Sequence, residues 1–255
     1  MANNGINMFA NERFKQVLDY LKEHNRATVE ELSKVLYVSP ATVRRDLKEM
    51  KKLGLIQRTH GGAIANDNSD EVNIFVRIEK NMKDKEETAS IALNGLPQFN
   101  TVFIDNSSTC LVLAEKMNLQ FKTVVTNGFQ LAMKLASRKD VTVIFLGGEV
   151  RNNASATYGA LATSMLDKFR FDLMLISCAS VGEDGCYETS IDVADIKSAA
   201  YSRSNHHILL VDKTKFDLSS PYRVRQLNEF QEIYTNASDE VLKSFRSLGY
   251  NIINK

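Results

Sequence analysis

The sequence predicts two modules of different construction: an N-terminal winged helix-turn-helix over residues 1–65 and, past a linker at 66–74, an α/β domain over 75–255 built on a parallel sheet. Two observations carry this division. Three helix signals and a glycine-tipped hairpin crowd into the first 65 residues, whereas beyond the polar stretch "NDNSDE" at 66–71 short apolar runs alternate with amphipathic segments. A chain of 255 residues is also long enough to bury more than one core.

In the first module, "NERFKQVLDYLKEHN" places Phe14, Val17, Leu18 and Leu21 at helical spacing, the apolar stripe of a first helix. In "RATVEELSKVL" Thr28 is the N-cap and Glu31 completes a capping box, so that each side chain satisfies an amide the helix start leaves free. Val29, Leu32, Val35 and Leu36 form the expected buried face of this second helix. Ser39 caps a third helix and Pro40 takes its first position, where a missing N–H is harmless. Val43, Leu47 and Met50 recur at i, i+4 and i+7, which turns Ala41, Thr42, Arg44, Arg45, Lys48 and Lys52 outward. Gly54 is a left-handed stop, "LIQR" a strand, "THGG" a turn and "AIA" the return strand of a wing.

The stretch from Ser39 to Ala63 holds six basic residues and two acidic ones. Residues 1–64 carry 11 Lys/Arg against 7 Asp/Glu, a net of +4, and the remainder carries 21 against 24, a net of −3. A short basic helix that opens with small hydroxylic residues and follows a tight turn suits a DNA major groove. Ser39, Thr42, Arg44, Arg45, Lys48, Lys51 and Lys52 are therefore the candidate DNA-binding residues, with Arg58 and His60 of the wing placed for phosphates or the minor groove. A solvated arginine pair, one member bonded to Asp46, is the competing account of Arg44 and Arg45; a carboxylate near phosphates is repelled, so Asp46 is expected to position rather than to touch DNA.

In the second module the strands expected are 101–105, 122–126, 141–146, 171–177, 207–212 and 232–236, with helices near 83–94, 108–117, 128–138, 158–168, 191–204 and 238–247. Strands apolar on both faces, alternating with helices, argue a parallel sheet covered on both sides. Ligands bind such sheets at the carboxyl ends of the strands, and the polar residues gather there: "DNSST" at Asp105–Thr109, "TNG" at Thr126–Gly128 and "GGE" at Gly147–Glu149. Hydroxyls and free amides at a helix start suit an anionic oxygen group, glycines admit close backbone approach, and Asp105 suits sugar hydroxyls. Ordinary N-capping by Ser107 or Ser108 accounts for the same residues equally well.

Several classes are excluded. There is no run of about 18 apolar residues, and the start "MANNGINMFANERFKQ" lacks the order of a signal peptide, so a cytoplasmic protein with no membrane contact is expected. Cys110, Cys178 and Cys186 lack metal-ligand spacing and read as buried thiols; His24, His60, His206 and His207 lack the spacing of a zinc site, and His206-His207 reads as structural. No dinucleotide fingerprint follows a strand. No cofactor, no metal and no catalytic residue are expected.

Taken together, "VSPATVRRDLKEMKKLGLIQRTHGGA", "DNSST", "VVTNG", "LGGEV", the "DIK" stretch and "DKTKF" resemble the DeoR family of bacterial transcriptional repressors from about Glu12 to Asn236. The resemblance implies a sensor domain similar in fold to ribose-5-phosphate isomerase and CoA-transferase-type enzymes, generally binding a phosphorylated sugar or related metabolite. It makes Asp105, Ser107, Ser108, Thr109, Asn127, Gly147, Lys197 and Lys215 effector-site candidates, joined by Gly148 from the glycine pair. Where many relatives have "GADG" after the fourth strand, this chain has "SCASVGEDG" at 177–185, so ligand identity transfers less well than fold. The expected function is a repressor of a carbohydrate-metabolism operon, with double-stranded operator DNA and a phosphorylated sugar as partners. A homo-oligomer, dimer or tetramer, follows from the pairing of half-sites by such readers. A sugar-phosphate isomerase-like enzyme carrying a nucleic-acid module is the alternative: Asp105 with Lys197 or Lys215 imitates an acid–base pair, though no assembled constellation is visible.

Overall fold

A computed structural model describes residues 13–255 apart from 15, 22, 53, 54, 66–73, 152–154 and 217. The chain divides into two compact units, Met1–Val76 and Arg77–Lys255.

In the first unit, helix α1 (described residues within 13–24) is followed by strand β1 (Arg26–Thr28), helix α2 (Val29–Val35), helix α3 (Pro40–Lys52), and strands β2 (Ile56–Arg58) and β3 (Gly62–Ala65). Both arms of the capping box form: the Glu31 amide donates to Thr28 Oγ1 at 3.1 Å and the Thr28 amide donates to Glu31 Oε2 at 2.7 Å. Val17, Leu21, Leu32, Val43, Leu47 and Met50 are fully buried in one core. Val35 departs from expectation. It is 44% exposed, because in so short a helix it lies well off the face shared by Val29, Leu32 and Leu36. The wing is a three-stranded sheet in the order β1-β3-β2, β1 being a strand that the sequence did not announce. Leu53 and the stop at Gly54, like most of the linker, lie outside the described residues.

The second unit begins with the end of helix α4 (Ile74–Glu79) and helix α5 (Met82–Gly95). There follow β4 (Thr101–Ile104), α6 (Ser108–Lys116), β5 (Lys122–Thr126), α7 (Phe129–Ala136), β6 (Val141–Phe145), the hairpin β7 (Glu149–Arg151) and β8 (Ala156–Tyr158), then α8 (Gly159–Leu166). The remainder runs β9 (Phe171–Ile176), β10 (Ser180–Gly182), β11 (Gly185–Glu188), α9 (Ile191–Tyr201), β12 (Ser204–Val211), β13 (Tyr222–Arg225), β14 (Glu232–Thr235), α10 (Lys243–Ser247) and β15 (Ile252–Ile253).

Seven of these strands form a parallel sheet in the order β15-β14-β12-β9-β4-β5-β6. Alternate residues along each strand feed opposite cores: Phe103, Met174, Ile176 and Leu209 pack with α8 and α9, whereas Val102, Ile104, Leu173 and Leu210 pack with α5, α6 and α7. Both faces are therefore dry, as the doubly apolar strands require. From β4 the chain first winds out to β5 and β6, then returns to lay β9 on the other side of β4. The connections diverge between β4 and β9, and the crevice at such a switch point is where open α/β sheets take ligands. The three cysteines are buried thiols. His207 is structural as read, its ring stacked on Tyr201 with centroids 3.8 Å apart.

Candidate functional site

Helix α3 separates its residues cleanly. Arg44, Arg45, Lys48 and Lys51 are exposed, while Val43, Asp46, Leu47 and Met50 are buried. Ser39 Oγ accepts from the Thr42 amide at 3.3 Å and lies 3.0 Å from Thr42 Oγ1, so the two hydroxylic residues brace one another at the helix start. Arg44 reaches Glu30 of α2 only at 3.8 Å, with both side chains more than half exposed, a contact of little energetic weight. Asp46 is bonded to neither arginine of the pair. Its carboxylate turns inward to Arg13, which donates from Nε at 2.7 Å and from Nη2 at 3.0 Å; the carboxylate raises the arginine's pKa further. On the wing, His60 is exposed in the turn and Arg58 is half-buried with its Nε unpartnered. The side chain of Lys52 lies outside the described residues.

At the sheet's switch point Asp105, Ser177, Glu188 and Lys197 form one buried cluster. Lys197 Nζ lies 2.9 Å from Asp105 Oδ2, donates to the Ser177 carbonyl at 2.7 Å and pairs with Glu188. Asp105 also accepts the Ser107 amide at 3.0 Å and the Ser177 amide at 3.2 Å. Burial alone would raise the Asp105 pKa, but Lys197 and the hydrogen bonds overcome it and hold it below the ordinary value. Burial opposes the charge on Lys197 likewise, and the two carboxylates reverse this and raise its pKa well above the ordinary lysine value. One ammonium between two carboxylates leaves no positive charge to offer a ligand.

Around that cluster, Ser107 caps α6 by accepting the Cys110 amide at 3.3 Å, and Ser108 and Thr109 are buried in its first turn. Asn127 is fully buried, donates to the Thr157 carbonyl at 3.1 Å and leaves its Oδ1 unpartnered. Gly148 holds φ at +150° and a Cβ there would crowd the Tyr158 carbonyl; Gly147 donates its amide to Met165 Sδ at 3.3 Å. Lys215 lies in the helical turn Lys213–Lys215 beyond β12, a strand two places from β4 in the sheet. Sequence reasoning missed Glu188, Asn106, whose Nδ2 donates to Tyr158 Oη at 2.8 Å, and Lys85 near Lys215. Glu188 carries no local signal, since its role comes from a strand placed beside α9 by the fold.

Two family models cover the chain: a DeoR-like helix-turn-helix domain at residues 13–69 and a DeoR C-terminal sensor domain at residues 80–237. The chain belongs to the DeoR family. It is thus a DNA-binding transcription regulator rather than an enzyme, with DNA met by the helix-turn-helix and an effector by the sensor domain. Among relatives, the L-fucose operon activator of Escherichia coli (strain K12) is 31% identical, over 88% of this chain and 94% of that one. The glycerol-3-phosphate regulon repressor of the same strain is 28% identical, over 90% of this chain and 92% of that one. Ribose 5-phosphate isomerase A from Neisseria gonorrhoeae superposes with a TM-score of 0.36 over 53% of each chain at 15% identity, too loosely to speak for a site. No described helix is long and apolar enough to cross a membrane.

Proposed function

We propose that this DeoR-family regulator is the repressor of a carbohydrate-metabolism operon, released or engaged by a phosphorylated sugar held at the carboxyl edge of the sensor sheet. The observation that carries the DNA reading is the sorting of charge on α3, with Arg44, Arg45, Lys48 and Lys51 outward and Asp46 drawn inward by Arg13. Relatives named for an L-fucose operon and a glycerol-3-phosphate regulon support a sugar or sugar-phosphate effector, and they include both an activator and a repressor.

Within the sensor, the α6 start, Asn127 with its free Oδ1, and the Gly147-Gly148 loop line the effector edge. Asp105 and Lys197 act beneath it as a neutralised pin that fixes the β4 and β9 ends. The dianion is met by α6 amides and by Lys215 rather than by Lys197. A homo-oligomer places two reading helices on paired half-sites. To test the reading, DNA selected from the source genome by the purified protein is titrated with matched free and phosphorylated sugars. A response to a phosphate and not to its free sugar supports it; equal responses overturn the anion site.

A further inference from the structure

We propose that Lys85 reads the anionic group of the effector and, in doing so, lets go of the segment through which the chain arrives from the DNA-binding unit. The inference rests on the phosphorylated-effector reading above. Lys85 lies on α5 and is 3% exposed. Its ammonium donates to the carbonyls of Arg77 and Lys80, which close the end of α4; a cation there satisfies carbonyls that a helix end leaves free. Arg77 is the first residue of the sensor unit, so this cap sits where the polypeptide enters it.

The charges around Lys85 are unbalanced. Arg77 and Lys80 from the α4 end and Lys215 from the turn beyond β12 all oppose its charge, and Asp212 supports it. Asp84, its neighbour on α5, is engaged elsewhere, by Lys213 at 3.0 Å and Asn236 at 2.9 Å. Burial is the largest cause holding its pKa down at about 8. A second observation offers the ammonium another acceptor. Asp212 is fully buried at the end of β12, and while its Oδ1 caps the next turn through the Thr214 amide at 3.1 Å, its Oδ2 has no partner.

Lys85 therefore has two arrangements. In one it caps α4. In the other it leaves those carbonyls for Asp212 Oδ2 and for a phosphate brought beside Lys215, which supplies the missing negative charge. An element with two such arrangements is what a ligand needs in order to shift a population. A phosphate monoester carries close to two charges at pH 8, so its arrival restores full protonation of Lys85.

The test is calorimetry on the full-length chain at pH 8 in two buffers of different ionisation heat, with glucose 6-phosphate, fructose 1-phosphate, fructose 6-phosphate and glycerol 3-phosphate as probes. For the probe that binds, uptake of about half a proton per site is expected, because Lys85 is half-charged near its pKa of about 8. Lys85→Arg is expected to bind without that uptake, and Lys85→Met to bind at least tenfold more weakly. Hydrogen exchange of the 74–82 segment is expected to rise on binding in the wild type and to be already high in unliganded Lys85→Met. Proton uptake retained in Lys85→Arg, or 74–82 exchange indifferent to ligand, overturns this inference alone. If none of the four probes binds the wild-type chain, the phosphorylated-effector reading falls, and this inference with it.

Discussion

Arg13 and Asp46, 33 residues apart, meet in a two-point pair that ties α1 to the inner side of the reading helix. The pair explains how an acidic residue is tolerated in the middle of a basic helix: its charge is matched from within and kept off the surface that faces phosphates. Asp46→Asn removes the carboxylate that holds the Arg13 guanidinium in this two-point pair. The expected loss is about 2 kcal/mol of stability in the N-terminal unit, read from denaturant unfolding of the isolated helix-turn-helix fragment or of the full chain. Unchanged unfolding would reduce Arg13–Asp46 to a surface contact.

The outward residues of α3 predict the opposite phenotype. Arg44→Ala and Arg45→Ala are expected to leave unfolding unchanged and to weaken cognate DNA by about 1–3 kcal/mol where the side chain is bidentate to guanine. Lys48→Ala and Lys51→Ala are expected to weaken all sequences alike and to flatten the salt dependence of binding by about one ion each. Affinity measured at several salt concentrations separates the two classes. An Arg44/Arg45 double variant that binds its operator normally would remove α3 from the interface.

The two glycines of the wing turn predict a contrast. A Cβ on Gly61 meets open space, whereas one on Gly62 overlaps the carbonyl oxygen of Ala27 on β1, the strand that pairs with β3. Gly62→Ala is therefore expected to cost about 1–3 kcal/mol by forcing β1 and β3 apart, and Gly61→Ala to lie within about 0.5 kcal/mol of wild type. Thermal unfolding of the pair checks this directly. Equal effects would mean that the β1–β3 approach is looser than the structure has it.

What was legible in the sequence follows from where each signal resides. The strand Phe171–Ile176 declares itself because both its faces are buried, and the start of α2 because Thr28 and Glu31 satisfy each other locally. The short strand β1 is silent because it exists only through pairing with β3, whose register puts Thr28 opposite Gly62. Helix α4 is six residues placed directly after a polar stretch, too short to show periodicity. Lys85 carries no signal of its own in the sequence, and its burial comes with the fold, where its ammonium meets the Arg77 and Lys80 carbonyls. Lys197 stands in the "DIK" stretch, yet its two carboxylate partners come from β11 and from the β4 end and are invisible until the sheet is assembled.

Those partners determine the pH behaviour of the sensor core. Asp105 has its pKa lowered in the folded chain, so its contribution is complete above the unfolded carboxylate value of about 4 and is lost as pH falls through the folded one. Lys197 has its pKa raised, so its contribution is complete below the unfolded lysine value of about 10.4 and fades only above that. The cluster is thus at full strength across neutral pH and fails first on the acid side. Lys197→Met leaves Asp105 and Glu188 buried side by side without a cation, at an expected cost of about 3–5 kcal/mol at pH 7. Protonation of the stranded carboxylates relieves part of that cost, so the gap between variant and wild type should narrow as pH falls from 7 to about 4. Adding Asp105→Asn to Lys197→Met should recover part of the loss at pH 7 as well, because it removes one of the two stranded charges. Urea unfolding of the four chains of this cycle at pH 7 and pH 4.5 measures both effects; a gap that stays constant with pH, together with no recovery in the double variant, would show that the three charges are not coupled.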